Sequence, residues 1–148
     1  MAQITFDNPA VQAYILYSAI LAVKLLALGP ITGFTRMAKG TFASPEDAKL
    51  LKGKVKTDET VERIRRAHLN DLENIPAFWI LGVLYLTTGP NVVWASLLFK
   101  MYTAARVSHT IFYTIIPAQP FRGLSWMIAF VIMLYMAVHV ILQNITAL

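Results

Sequence analysis

A chain of 148 residues that is 57% hydrophobic and only 14% charged has too little polar side-chain matter for a soluble domain. Its mean hydropathy of +0.56 suits a chain solvated by lipid. The net charge of +5 does not signal a nucleic-acid partner, because nine of the thirteen Lys and Arg crowd between Arg36 and Arg66, where they read as a loop beside a membrane. The absence of cysteine excludes disulfides, thiolate metal sites and a cysteine nucleophile.

In chain order, the first uncharged run is Asn8 to Val23, and after Lys24 a second continues from Leu25 to Thr35. Together they exceed the roughly 20 residues that a bilayer requires. Asp7 precedes the run and no basic segment leads into it, so it reads as a span and not as a cleaved leader. Gly29-Pro30 is expected to bend it. The segment of about 37–61 follows as a polar loop, with Ser44-Pro45-Glu46-Asp47 reading as the capped start of a short helix.

Three further spans are expected at about 67–87, 92–113 and 124–145, separated by 88-TGPN-91 and 117-PAQP-120. The fold expected is an all-α integral membrane protein, one domain over residues 1–148 forming a bundle of four transmembrane helices. The basic loop places residues 37–61 in the cytosol and both termini on the other side. Asn144-Ile145-Thr146 matches a glycosylation sequon, but its position at the end of a span argues against occupancy.

Polar groups inside the spans identify the candidate site, since a charge in lipid needs a partner or a wet cavity. At 100° per residue, Arg63, Arg66, Asn70, Glu73 and Ala77 fall within an arc of about 80° on the second span. On the third, Tyr102, Arg106, His109, Thr110 and Tyr113 form another stripe. Arg122 follows Pro120 in the first turn of the fourth, where backbone N–H groups are also free. These cations outnumber the aligned carboxylate Glu73, so an anionic ligand with an ammonium group, such as glutathione, fits: arginines fork onto its carboxylates and Glu73 takes the ammonium. Lys24, deep in the first span, is expected to pair with Asp71, which projects off the polar arc. His68 also points off that arc and reads as packing; Lys100, Trp79, Trp94, Tyr135 and His139 read as anchors or packing.

The runs 61-VERIRRAHLNDLENI-75, 42-FASPEDA-48, 89-GPN-91, 106-RVSHTIFY-113 and 119-QPFRGLSW-126 resemble the membrane-associated proteins in eicosanoid and glutathione metabolism, abbreviated MAPEG. Within that family RRAHLNDLEN and QPxRxLS look most like the microsomal glutathione transferase type 1 branch, with microsomal prostaglandin E synthase the near neighbour. The resemblance implies a homotrimer in the endoplasmic reticulum membrane, multi-pass, with glutathione held near the cytosolic face between subunits and no metal. Carried over by matching positions, it implies glutathione contacts from Arg66, Asn70 and Glu73, from Arg106, His109 and Tyr113, and from Arg36 of a neighbouring subunit. Arg122 matches the arginine assigned to the thiolate. Asp47 matches an acid proposed as catalytic in the prostaglandin synthase, beside its local reading as a helix cap.

The activity implied is conjugation of the glutathione thiolate to lipophilic electrophiles delivered from membrane lipid, with reduction of lipid hydroperoxides by the same thiolate. Two alternatives stand beside it: a glutathione-dependent prostaglandin E synthase, and a non-catalytic lipid-binding member. Gly123 and Trp126 stand where the synthase has serine and tyrosine, which weighs against the first. Retention of Arg66, Glu73, Arg106 and Arg122 weighs against the second.

Overall fold

The computed structural model describes residues 5–145; Thr146, the last residue of the sequon, lies outside them. Five helices run in the order α1 (Pro9–Lys39), α2 (Pro45–Leu50), α3 (Glu59–Thr87), α4 (Val92–Thr114) and α5 (Gln119–Asn144). The chain's own capping chemistry sets where most of them begin. Asn8 accepts the Ala10 N–H at 2.9 Å ahead of Pro9, and Asp58 accepts the N–H groups of Thr60 and Val61 at 2.9 and 3.3 Å. Asn91 accepts that of Trp94 at 3.1 Å, each oxygen satisfying a donor that the first helical turn leaves free. Helix α1 stops at Gly40, whose φ of 57° is the left-handed conformation that glycine adopts without a Cβ clash.

The loop between α1 and α3 has more structure than its sequence announces. Ser44 caps α2, accepting the Asp47 N–H at 3.4 Å, as its sequence led us to expect. Two-residue strands, β1 (Thr41–Phe42) and β2 (Lys54–Val55), pair in parallel with Thr41 opposite Lys54. Gly53 lies so close under Phe42 that a Cβ would meet its ring at 2.2 Å. The loop is thereby tied back to the end of α1.

The four long helices pack on one another. Helix α1 lies against α3 and α4, and α5 against α3 and α4. Helices α1 and α3 continue through Pro30 and Pro76. Between α1, α3 and α4 the rings of Phe78 and Tyr102 stack at 4.0 Å, with Phe99 edge-on to Phe78 at 5.9 Å and to Tyr14 at 5.5 Å. Small residues let the backbones approach. A Cβ on Gly82 would meet the Tyr14 ring at 2.5 Å, and Ala10, Ala95 and Ala129 are buried at the helix contacts. The large apolar side chains facing outward, among them Leu26 at 75% and Val93 at 77% exposure, make a surface that water would not tolerate. Among the described residues two helices, α1 and α5, are long and apolar enough to cross a membrane by length and composition.

Helix α3 begins eight residues before the expected span. At 1.5 Å per residue its 29 residues extend about 44 Å, well beyond a hydrocarbon core of about 30 Å. Its charged first turns, capped by Asp58, belong to the same continuous helix as the apolar residues that follow.

Candidate active site

Where the start of α3, the end of α4 and the start of α5 converge, Glu59, Arg63, Arg66, Tyr113, Gln119 and Arg122 line a cavity of about 400 Å³. That lies in the range of small-molecule sites. Three arginines face one carboxylate. Glu59 Oε1 is shared by Arg66 Nη2 at 2.7 Å and Arg63 Nη2 at 3.7 Å, so neither guanidinium is fully matched. Arg122 is placed by two neighbours: its guanidinium lies 4.5 Å over the Tyr113 ring, and its Nη2 donates to Gln119 Oε1. Tyr113 in turn packs edge-on to His109 at 5.5 Å. Ala118, the residue before α5, offers no side-chain cap, so the free N–H end of the helix and Arg122 present positive charge together.

Beneath the cavity is a second polar cluster, centred on two buried side chains, Asp71 and Arg106. Asp71 Oδ1 accepts from Arg106 Nε at 3.1 Å and Nη2 at 2.6 Å, and its Oδ2 accepts from Lys24 and, at 3.3 Å, from Thr110. Arg106 Nη2 also donates to Asn70 Oδ1 at 2.8 Å. Both Asp71 and Arg106 are fully buried. The expected Lys24–Asp71 pair is present, but Arg106 joins it, so one carboxylate answers two cations. A carboxylate held this way in a low-dielectric interior is tolerable only because its acceptor positions are filled.

The expected site residues therefore separate into three groups. Arg66, Tyr113 and Arg122 come together at the cavity, joined by Arg63. The α4 stripe faces inward: Tyr102, Arg106 and His109 are buried. The structure does not bring Arg106 to the cavity wall, because Asp71 draws its guanidinium into the core. Nη1 of Arg106 and Nδ1 of His109 are buried without a partner among the described residues. Asn70 is half-buried beside this cluster, and Glu73 is exposed.

Arg36 and Asp47 stand apart within one chain. Arg36 is 3.8 Å from Glu62 and lines a separate cavity of about 230 Å³ with Phe42, Val55 and Lys56. Asp47 is exposed in the first turn of α2. Glu59 and Gln119 were not foreseen as cavity residues. Each had a local signal, Glu59 four residues before Arg63 and Gln119 three before Arg122, the spacing at which helical side chains meet.

Long helices sheathed in apolar side chains, with an arginine-lined cavity at one end and a buried ionic cluster beneath it, define a helical membrane protein. The chain belongs to the MAPEG family, whose model matches residues 14–142. It is 42% identical to microsomal glutathione S-transferase 1 of Rattus norvegicus over 137 residues, covering 88% of each chain. It is 39% identical to microsomal glutathione S-transferase 1 of Homo sapiens, again covering 88% of each. Prostaglandin E synthase of Homo sapiens is 37% identical over 128 residues, 85% of this chain and 84% of that one.

Proposed function

We propose that this chain is a membrane-bound glutathione transferase, joining the glutathione thiolate to lipophilic electrophiles and reducing lipid hydroperoxides with the same thiolate. The observation that carries the reading is Arg122 at the uncapped start of α5, seated on Tyr113 in a cavity where three arginines face a single carboxylate. Relatives named microsomal glutathione S-transferase 1, about 40% identical over most of the chain, support it.

A free thiol of pKa near 8.5 is only a few per cent ionised at pH 7, so stabilising its anion by about 2–3 pKa units makes thiolate the main form. Arg122 and the α5 N-terminus supply that stabilisation, while Arg66 and Arg63 bind the peptide carboxylates and Glu73 its ammonium. Attack by the thiolate then forms a C–S bond as the leaving group departs with its electron pair, or as the π pair of an activated double bond moves onto its electron-withdrawing group and the resulting anion takes a proton from water. With a hydroperoxide, the thiolate takes the terminal oxygen and the O–O bond breaks. The lipid alcohol leaves, and a second glutathione converts the sulfenic acid to the disulfide and water.

The same reading places the whole chain as one domain of four transmembrane helices in a homotrimer of the endoplasmic reticulum membrane. Segment 37–61 and the site then face the cytosol. Arg36, remote from the cavity within one chain, completes it from a neighbouring subunit. Apolar substrate arrives from lipid, and glutathione from water.

A glutathione-dependent prostaglandin E synthase is the second reading, supported by 37% identity to the human enzyme of that name. Around Gly123 a Cβ would meet nothing within 4 Å, so packing does not forbid the larger residue that the synthase carries there. The test is to assay the purified protein in detergent with glutathione against a chromogenic aryl halide, a lipid hydroperoxide and a prostaglandin endoperoxide. Conjugation and hydroperoxide reduction are expected; turnover of the endoperoxide alone would reverse the order of the two readings.

A further inference from the structure

Arg106 has only N–H donors, so the atom of Asn70 that meets its Nη2 at 2.8 Å has to be the carbonyl Oδ1. The NH2 group of Asn70 is thereby turned away from Arg106, and no hydrogen-bond partner meets it among the described residues. Arg106 is not free to move and release it. Its Nε and Nη2 both sit on Asp71 Oδ1, and the other oxygen of Asp71 is held by Lys24 from α1 and Thr110 from α4. Three helices thus converge on one carboxylate, and the result at the surface of the cluster is a single amide with a fixed orientation.

Asn70 also has informative neighbours on its own helix. Four residues before it is Arg66, which lines the arginine cavity; three after it is Glu73, exposed and without an ion pair among the described residues. At 100° per residue the three lie within an arc of about 60°. The ordered amide therefore stands between a cation and a carboxylate on one face.

We propose that Asp71 and Arg106 are positioning residues that hold the Asn70 carboxamide with its two N–H donors toward the ligand, so that Asn70 selects an acceptor, a carbonyl or carboxylate oxygen of the peptide. This rests on the glutathione reading above and departs from what the family resemblance implies for Arg106. Arg106 acts through Asn70, from within the core, and does not touch glutathione. The two positions are then linked in a way that independent ligand contacts are not.

A double-mutant cycle on the full-length protein in detergent tests the link, with glutathione itself as the probe and its dissociation constant as the readout. Arg106→Lys keeps a cation for Asp71 but cannot fork onto both Asp71 and Asn70; Asn70→Ala removes the amide. Each single variant is expected to weaken binding about tenfold, and the double variant no further than Asn70→Ala alone. Losses that multiply to about a hundredfold would mean that Arg106 contacts the ligand directly, and an unaffected Arg106→Lys would mean that it positions nothing. Either result overturns the proposal.

Asn70→Asp gives a second measurement that does not depend on a weakened core. It keeps an oxygen for Arg106 and adds a charge that this cation-rich cluster accepts, so the melting temperature is expected to hold or rise while glutathione affinity falls. Undiminished affinity in Asn70→Asp would also overturn the proposal. Absence of glutathione binding by the wild-type protein would sink the functional reading together with this inference, whereas normal wild-type binding with additive losses would sink this inference alone.

Discussion

Arg106 and Asp71 meet through two hydrogen bonds, at 3.1 and 2.6 Å, in a place where neither side chain touches solvent. Lys24 reaches the same carboxylate from α1. The cluster holds two cations and one anion, so its members are not equivalent.

Neutralising Asp71 strands two cations in the core, whereas neutralising Lys24 leaves a balanced Arg106–Asp71 pair. Asp71→Asn is therefore expected to destabilise the protein by about 3–5 kcal/mol, and Lys24→Met by much less. Adding Lys24→Met to Asp71→Asn recovers only part of the loss, because Arg106 remains uncompensated. Thermal unfolding in detergent measures all three. Equal losses from the two single variants would mean that Lys24 and Asp71 act as an isolated pair.

Glu73 makes the opposite prediction, because it is exposed and carries no ion pair among the described residues. Glu73→Gln is expected to leave the melting temperature unchanged but to weaken glutathione binding by about 1–3 kcal/mol through loss of one charge-assisted contact. Des-amino glutathione is then expected to bind wild type and variant alike. A variant that still prefers the intact peptide would show that Glu73 does not hold the ammonium.

Packing makes a third prediction at Gly82, which lies against Tyr14 with room for no side chain. Gly82→Ala forces the Tyr14 ring, whose hydroxyl donates to the Trp79 carbonyl at 2.7 Å, to move. The expected cost is about 1–3 kcal/mol. Gly123→Ala, in open space, serves as the control and is expected to unfold at the wild-type temperature. Similar behaviour of the two variants would argue that Tyr14 yields without cost.

Much of this arrangement was legible in the sequence, and the parts that were not share a physical cause. The all-helical character, the turns at 88–91 and 117–120, the Ser44 cap and the Lys24–Asp71 contact all follow from local chemistry or from the cost of a lone charge in lipid. What a helical wheel cannot supply is the rotation of one helix against another. Angular spacing put Arg106 on one face of α4 and both Asp71 and Glu73 on α3, but which carboxylate Arg106 would meet depends on how α3 and α4 are seated. Rings such as Phe78 on Tyr102 help to fix that seating. Hydropathy also placed the start of the second span at Ala67 and missed the eight helical residues before it, because a helix does not end where its apolar stretch does. The strand pair β1–β2 is too short to leave a periodic signal.

The last prediction separates binding from activation at the cavity. Arg66 is tied to Glu59 at 2.7 Å on the exposed side, while Arg122 is half-buried, seated on Tyr113 and at the start of α5. If Arg122 stabilises the thiolate, Arg122→Leu is expected to keep glutathione affinity within several-fold while the absorbance of bound thiolate near neutral pH disappears. Turnover then falls about 10²-fold or more, the usual effect of removing a preorganised charge stabiliser. Arg66→Leu is expected to do the reverse, raising the glutathione concentration required while leaving the saturated rate nearer normal. Tyr113→Leu removes the ring that seats Arg122, so it is expected to resemble Arg122→Leu in kind but to be weaker in degree. A thiolate difference spectrum across pH, combined with a glutathione titration of each variant, distinguishes these cases. A normal thiolate signal and rate in Arg122→Leu would move activation away from Arg122, even with the chain's family membership unchanged.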